Sequence, residues 1–212
     1  MADVRTLAHL QDALDKEMGW RLKEIAAFKV ASNRNGHEKR FFIRAGIALV
    51  YAHWEGFIKT TSELYLQFVD NRGCTYQQLK SCFAVFGLKG KLSTLSSSFQ
   101  AEKNIEVFDF IRSELSNTAR LQLSSAINTE SNLTSKVFSN IAKSLNMPIG
   151  NYTTKFNLID ESLVKRRNAI AHGEYLDIDQ REFENLSDEI IKILREYKTD
   201  LLNSASQETY KC

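Results

Sequence analysis

The chain has 212 residues, 43% of them hydrophobic, and sets 28 basic against 26 acidic side chains for a net charge of +2. That length and apolar content sustain a buried core and exclude a disordered chain, and the near-neutral balance excludes a polybasic coat for nucleic acid while leaving room for a local basic site. With one proline and nine glycines, the chain lacks the breakers of a many-turned β architecture, so long helices are expected.

Leu7, Leu10, Leu14, Met18, Leu22, Ile25 and Phe28 advance by threes and fours, the spacing of an amphipathic helix. The turn-rich residues 31–36 end it. A second helix is predicted over residues 38–70. Its middle, residues 47–52, is apolar on most sides and is expected to be the most buried element. Asn71, Arg72 and Gly73 stop it. Residues 73–130 read as a variable insertion of mixed character on the side of the helical core. Within it the pattern predicts a short helix over 76–86, a break at the GLKGK of 87–91, and a serine-rich loop over 93–98. Residues 105–123 suit either a helix or a mixed segment. Helical spacing returns over 131–145 with Leu133, Val137, Phe138, Ile141 and Leu145. A further helix is predicted over 152–172, capped by Gly173, and a last one over 179–203. Residues 204–212 are expected to fray. The whole, 1–212, reads as one domain.

No segment reaches the ~18 apolar residues of a membrane span, and the N-terminus has early acids and no apolar stretch, so neither a membrane nor a secretory leader is expected. Cys74, Cys82 and Cys212 cannot form a closed disulfide set and carry no metal-site spacing. A cytoplasmic location is expected. The GLKGK turn lacks the spacing of a phosphate loop. The four histidines (His9, His37, His53, His172) form no HExxH pattern. No metal and no cofactor are expected.

One stretch stands out: Lys165, Arg166, Arg167 and Asn168, then Ala169, Ile170, Ala171, His172, Gly173 and Glu174. Its bland reading is a helix end whose cations complement the dipole. Spacing alone does not choose between that and a site. The stretch, however, resembles the signature of the HEPN superfamily (higher eukaryotes and prokaryotes nucleotide-binding domains): an arginine, a polar residue after it, and a histidine beyond four to six residues. Arg167, Asn168 and His172 fit it. A second stretch, VYAHWEGFIK at 50–59, is similar to the second helix of the RiboL-PSP and MAE-type branch.

The resemblance implies an all-α fold: a HEPN-like four-helix bundle with two long N-terminal helices and an inserted, mixed middle segment. It also implies a metal-independent endoribonuclease in which the RNA 2′-OH attacks the adjacent phosphate, leaving 2′,3′-cyclic phosphate and 5′-OH ends. Arg167, His172 and Asn168 are then the catalytic candidates. An imidazole can move the protons and an arginine fork suits phosphate oxygens. Arg166 and Lys165 are candidate substrate contacts. Glu55 is a candidate partner for Arg167 or Arg44, or else an ordinary helix-surface glutamate. His53 and Trp54 are expected to pack. For Phe41, Phe42 and Tyr51, core packing is favoured over stacking on bases.

At about 100° per residue, Asn168 and His172 lie about 40° apart on a helix, whereas Arg167 lies about 140° from His172. The helix must therefore break near Ala171, or two copies must face each other. A homodimer with a composite active site is the preferred expectation, with RNA as substrate and an antitoxin or defence-system protein as a further partner, as for a toxin or phage-defence effector. The alternative is a catalytically inactive module for dimerisation or for binding a nucleotide or protein.

Overall fold

Thr6 opens the first helix by accepting the amide N–H of His9 at 3.1 Å, which satisfies one of the donors a helix start leaves unpaired. In this computed structural model, which describes residues 4–33, 38–123 and 126–212, that helix is α1, Leu7–Ser32. The predicted turn begins at its end, and residues 34–37, including His37, lie outside the described residues. Helix α2, Lys39–Asp70, runs where the apolar pattern places it. It carries more buried residues than any other described helix, but within 47–52 only Ile47, Val50 and Tyr51 are buried, while Ala48 and Leu49 are half-buried and Ala52 is exposed. Trp54, Phe57 and Ile58 follow at 0% exposed.

Helix α7, Gln180–Ser206, starts at a capping box between Asp179 and Glu182 and packs on both α1 and α2. Helix α5, Ser135–Ser144, drives Phe138 between three rings. Its centroid lies 5.1 Å from Trp54, 5.2 Å from Tyr152 and 5.6 Å from Tyr197. Two of the hydroxyl groups entering this core find partners: Tyr197 lies 2.7 Å from the Ser62 hydroxyl, and Tyr152 donates to Asp200 at 2.5 Å. The chain is all-α. Among the described residues there is no strand, only two isolated bridges, Thr75 with Thr118 and Leu79 with Lys211.

The predicted helix over 152–172 is three helical forms in series. A 3₁₀ turn covers Gly150–Lys155, a π-helix Leu158–Val164, and the α-helix α6 only Lys165–Ala171. This run packs on α2 and, through its π segment, on α7, and so supplies the fourth rod of the bundle. Ile159, Leu163 and Val164 are buried, while α6 itself buries nothing fully and rides on the surface.

The middle segment departs most from its pattern. Residues 76–78 are a turn between two bridge residues rather than helix, and α3 spans Ser81–Ser97, straight through the expected break and the expected serine loop. Gly87 is there for close approach: a Cβ would sit 2.5 Å from the Tyr76 hydroxyl and 2.7 Å from the Arg120 carbonyl. The hydroxyl-bearing residues do not break the helix because they bond back to it. Thr94 donates to the Gly90 carbonyl at 3.1 Å, and Ser96 and Ser97 to that of Ser93 at 3.0 and 2.8 Å. Helix α4, Ala101–Glu114, follows. The segment is clipped to the end of α2, since Leu121 N–H donates to the Asp70 carboxylate at 2.8 Å.

The C-terminal residues do not fray. Tyr210 is fully buried, edge-on to Phe68 and Phe83. Lys80 N–H donates to its carbonyl at 2.9 Å, and Cys212 N–H to that of Gln78 at 3.0 Å. The polar letters of the tail hide one aromatic anchor.

His53 and Trp54 pack, as expected. His53 is buried edge-on to Trp20, with the Glu24 carboxylate 3.2 Å from Nε2 but off the direction of a hydrogen bond. The buried Arg21 beside it lies over the rings of Trp20 and Phe57 and pairs with Glu17 at 2.5 Å.

Candidate functional site

The site starts from one peptide unit. Leu133 N–H donates to the Tyr51 hydroxyl at 2.9 Å, and the Leu133 carbonyl accepts from Trp54 Nε1 at 3.0 Å. Two side chains one turn apart on α2 thus pin the chain entering α5. The residue before, Asn132, is thereby fixed over α6, where its Oδ1 accepts Arg167 Nη1 at 2.8 Å. The same Nη1 reaches Asn168 Oδ1 at 2.8 Å, and the guanidinium carbon lies 4.1 Å from the centroid of the Tyr51 ring. A ring and two neutral amides therefore hold Arg167 half-buried.

Glu55 pairs with neither Arg167 nor Arg44. It accepts from Thr129 Oγ1 at 2.7 Å. Arg44 instead donates to the Glu174 carbonyl at 2.8 Å. Among the described residues no carboxylate oxygen lies within 4.0 Å of the Arg167 guanidinium, because amides and a ring fill its cradle. Its positive charge therefore has no direct counterion among the described residues. Burial raises the Tyr51 phenol above its ordinary pKa. The Leu133 N–H and Arg167 oppose the shift, and Glu55 adds to it.

Helix α6 ends on a complete Schellman motif. Gly173 N–H donates to the Ile170 carbonyl at 3.1 Å and Glu174 N–H to that of Ala169 at 2.9 Å, with Gly173 at φ +75°. A side chain there would be strained. His172, the residue before, is the C-cap and is exposed. It lines a cavity of about 600 Å³ together with Asn168, Arg166, Lys165, Asp160 and Glu174. Arg167 lines a different cavity, of about 290 Å³, with Tyr51, Glu55 and Ala48. The wide angle between Arg167 and His172 thus persists in the fold, and in one copy the two do not converge. Asn168 stands between them. Its side chain accepts from Arg167 rather than from the imidazole, while its backbone carbonyl accepts His172 N–H at 2.9 Å.

Both flanking cations are engaged, Lys165 with Glu161 at 2.7 Å and Arg166 with Glu182 at 3.1 Å. The motif itself gave no sign of Asn132. Tyr51, assigned to packing, packs and also carries the arginine. Among the described residues no group of three His, Cys, Asp or Glu side chains could hold a metal ion, and no helix is long and apolar enough to cross a membrane.

The model of the RiboL-PSP-HEPN family matches residues 16–203. The chain belongs to that family. The match runs from α1 to α7 and takes in the Tyr51–Glu55 turn of α2, the middle segment and the Arg167–His172 stretch. Searches of curated proteins and of solved structures each find no match. A HEPN domain points in general to an RNase-type function.

Proposed function

We propose that this HEPN protein is a metal-independent endoribonuclease working as a homodimer, with α6 of each copy facing across the two-fold axis. The observation that carries the reading is the Arg167 cradle. A guanidinium oriented by a ring and two amides, with no carboxylate on it among the described residues, is prepared for an incoming phosphate, and the exposed His172 caps the same seven-residue helix. Two copies bring the Arg167 of one toward the His172 of the other, which one copy alone does not do.

The reaction balances without a co-reactant. The 2′-oxygen bonds to phosphorus as its proton passes to one His172 imidazole, and the P–O5′ bond breaks as the leaving oxygen takes a proton from water, which the imidazolium replaces. Arg167 offers its fork to the phosphorane oxygens, where charge grows. The products are a 2′,3′-cyclic phosphate and a 5′-OH. An enzyme of this kind needs restraint, so we assign it to the toxin or phage-defence effectors, held by an antitoxin or another protein of the defence system.

Purified protein incubated with total RNA in EDTA should yield fragments with those ends, and His172→Ala should abolish them. Chelator-sensitive cleavage would sink the mechanism. The second reading, a non-catalytic module that binds a nucleotide or a protein, is favoured by the ion pairs that already occupy Lys165 and Arg166. RNA left intact at every protein concentration that gives dimer selects that reading.

A further inference from the structure

Next to the His172 cavity lies a larger one, of about 950 Å³, lined by Arg40, Phe41, Arg44, Gly173, Glu174, Tyr175 and Leu176. Glu174 and Leu176 line both. Its two aromatic side chains are left open to solvent, Phe41 at 71% exposed and Tyr175 at 76%. Core packing is expected for Phe41, but the core face at the start of α2 is taken by Ile43, Gly46 and Ile47, and Phe41 is left out of it. Arg40 and Arg44, one turn apart on α2, line the same cavity. Arg44 donates to the Glu174 carbonyl at 2.8 Å, and Arg40 approaches the Tyr175 hydroxyl at 3.5 Å, so the chain leaving α6 is tied to the start of α2.

We infer that this cavity is a subsite for an unpaired nucleotide beside the scissile phosphate, with Phe41 and Tyr175 as stacking surfaces for bases and Arg40 and Arg44 as contacts to the sugar-phosphate backbone. The inference rests on the ribonuclease reading and names its substrate class as single-stranded RNA. Exposed rings interleaved with arginines are the composition of a single-strand platform: every base has a face to stack, and the cations follow the backbone. A protein partner fits less well, because it would have to bring carboxylates for two arginines into a concave wall. Base-paired RNA cannot offer an unstacked base. Glu174, on the shared wall, repels phosphate and can accept from a base amino edge, which turns the base inward and the backbone toward the arginines.

The test uses a fully 2′-O-methylated, fluorescein-labelled single strand of about ten nucleotides, which spans such a platform and cannot be cut. Fluorescence anisotropy on the full chain should show Phe41→Ala and Tyr175→Ala each weakening binding roughly tenfold. Phe41→Tyr and Tyr175→Phe should bind like wild type, and a blunt duplex of the same sequence should bind less well. Arg40→Ala and Arg44→Ala should each flatten the salt dependence by about one counterion. Both rings are exposed, so the alanine variants should melt like wild type. Equal binding by the alanine variants, or no binding by the wild-type protein, overturns the subsite. So do alanine variants that bind normally but turn monomeric in light scattering, which would assign this face to a second copy. The cleavage reading stands or falls separately on total RNA and His172→Ala. If cleavage is absent while the single strand binds through Phe41 and Tyr175, the subsite survives and the nuclease does not.

Discussion

Arg167 meets its surroundings through geometry rather than through an opposite charge, and that decides what its replacements should do. Lysine keeps the charge but loses the planar fork and the flat face that lies on Tyr51, so Arg167→Lys should lose most of the activity. Arg167→Ala should lose about 10²–10³ in kcat with RNA affinity only modestly reduced, because the interaction grows in the transition state. If Arg167→Lys is fully active, the residue is merely a helix-end cation. Asn132 positions that arginine, so Asn132→Ala should lower kcat about tenfold while KM barely moves. Asn132→Asp should lower kcat further, because the new carboxylate would neutralise the guanidinium. A variant series in which KM rises and kcat holds would assign Asn132 to substrate binding instead. At this scale Arg167 and His172 were legible as a motif. Asn132 was not, because its place follows from Leu133 being pinned by Tyr51 and Trp54, a relation between segments about eighty residues apart.

Helices α1, α2 and α7 were legible because their apolar stripes are long, uninterrupted and bounded by caps or turns. The middle segment misled for an equally physical reason: glycine and serine read as breakers, yet Gly87 makes room for Tyr76 and Arg120, and the hydroxyls bond back along their own helix. One inter-helix contact carries a pH dependence. His53 on α2 is surrounded from α1 by Trp20, Arg21 and Glu24, with Glu17 behind Arg21. Burial lowers its pKa below the ordinary 6.5; Arg21 adds to the shift and Glu24 opposes it. The unfolded chain therefore binds this proton more readily than the folded one. The associated stability is fully present above the unfolded value and is lost as pH falls toward the folded one. Tm should drop between about pH 7 and about pH 5, and His53→Gln should flatten that drop. An unchanged slope in His53→Gln would mean that other groups drive it.

For the assembled molecule, the separation of Arg167 and His172 into two cavities makes mixing experiments decisive. Arg167→Ala and His172→Ala protomers are each inactive as homodimers in the proposed mechanism. A heterodimer of the two keeps one Arg167 and one His172, on opposite copies. If each arginine works with the other copy's histidine, unfolding and refolding a mixture should restore activity. If each copy used its own pair, the mixture would stay dead.

The π turn before α6 has a consequence for how such proteins can change length. Counted on an ideal α-helix, Ile159, Leu163, Val164 and Arg167 would scatter over about 140°. Without Ser162 the same four residues would fall at i, i+3, i+4 and i+7, a stripe of about 100°. The π turn is therefore slack of one residue. It is held at one end by Asp160, which accepts from Ser135 N–H and hydroxyl at 2.7 and 2.5 Å, and at the other by Arg167 on Tyr51. Removing half-buried Ser162 should straighten the segment into plain α-helix with both anchors still seated, keeping Tm and activity close to wild type. Removing Ala169, within α6, should swing His172 by about 100° relative to Arg167 and silence the proposed cleavage. The π turn is thus a spacer that can lose a residue without disturbing the pair it serves.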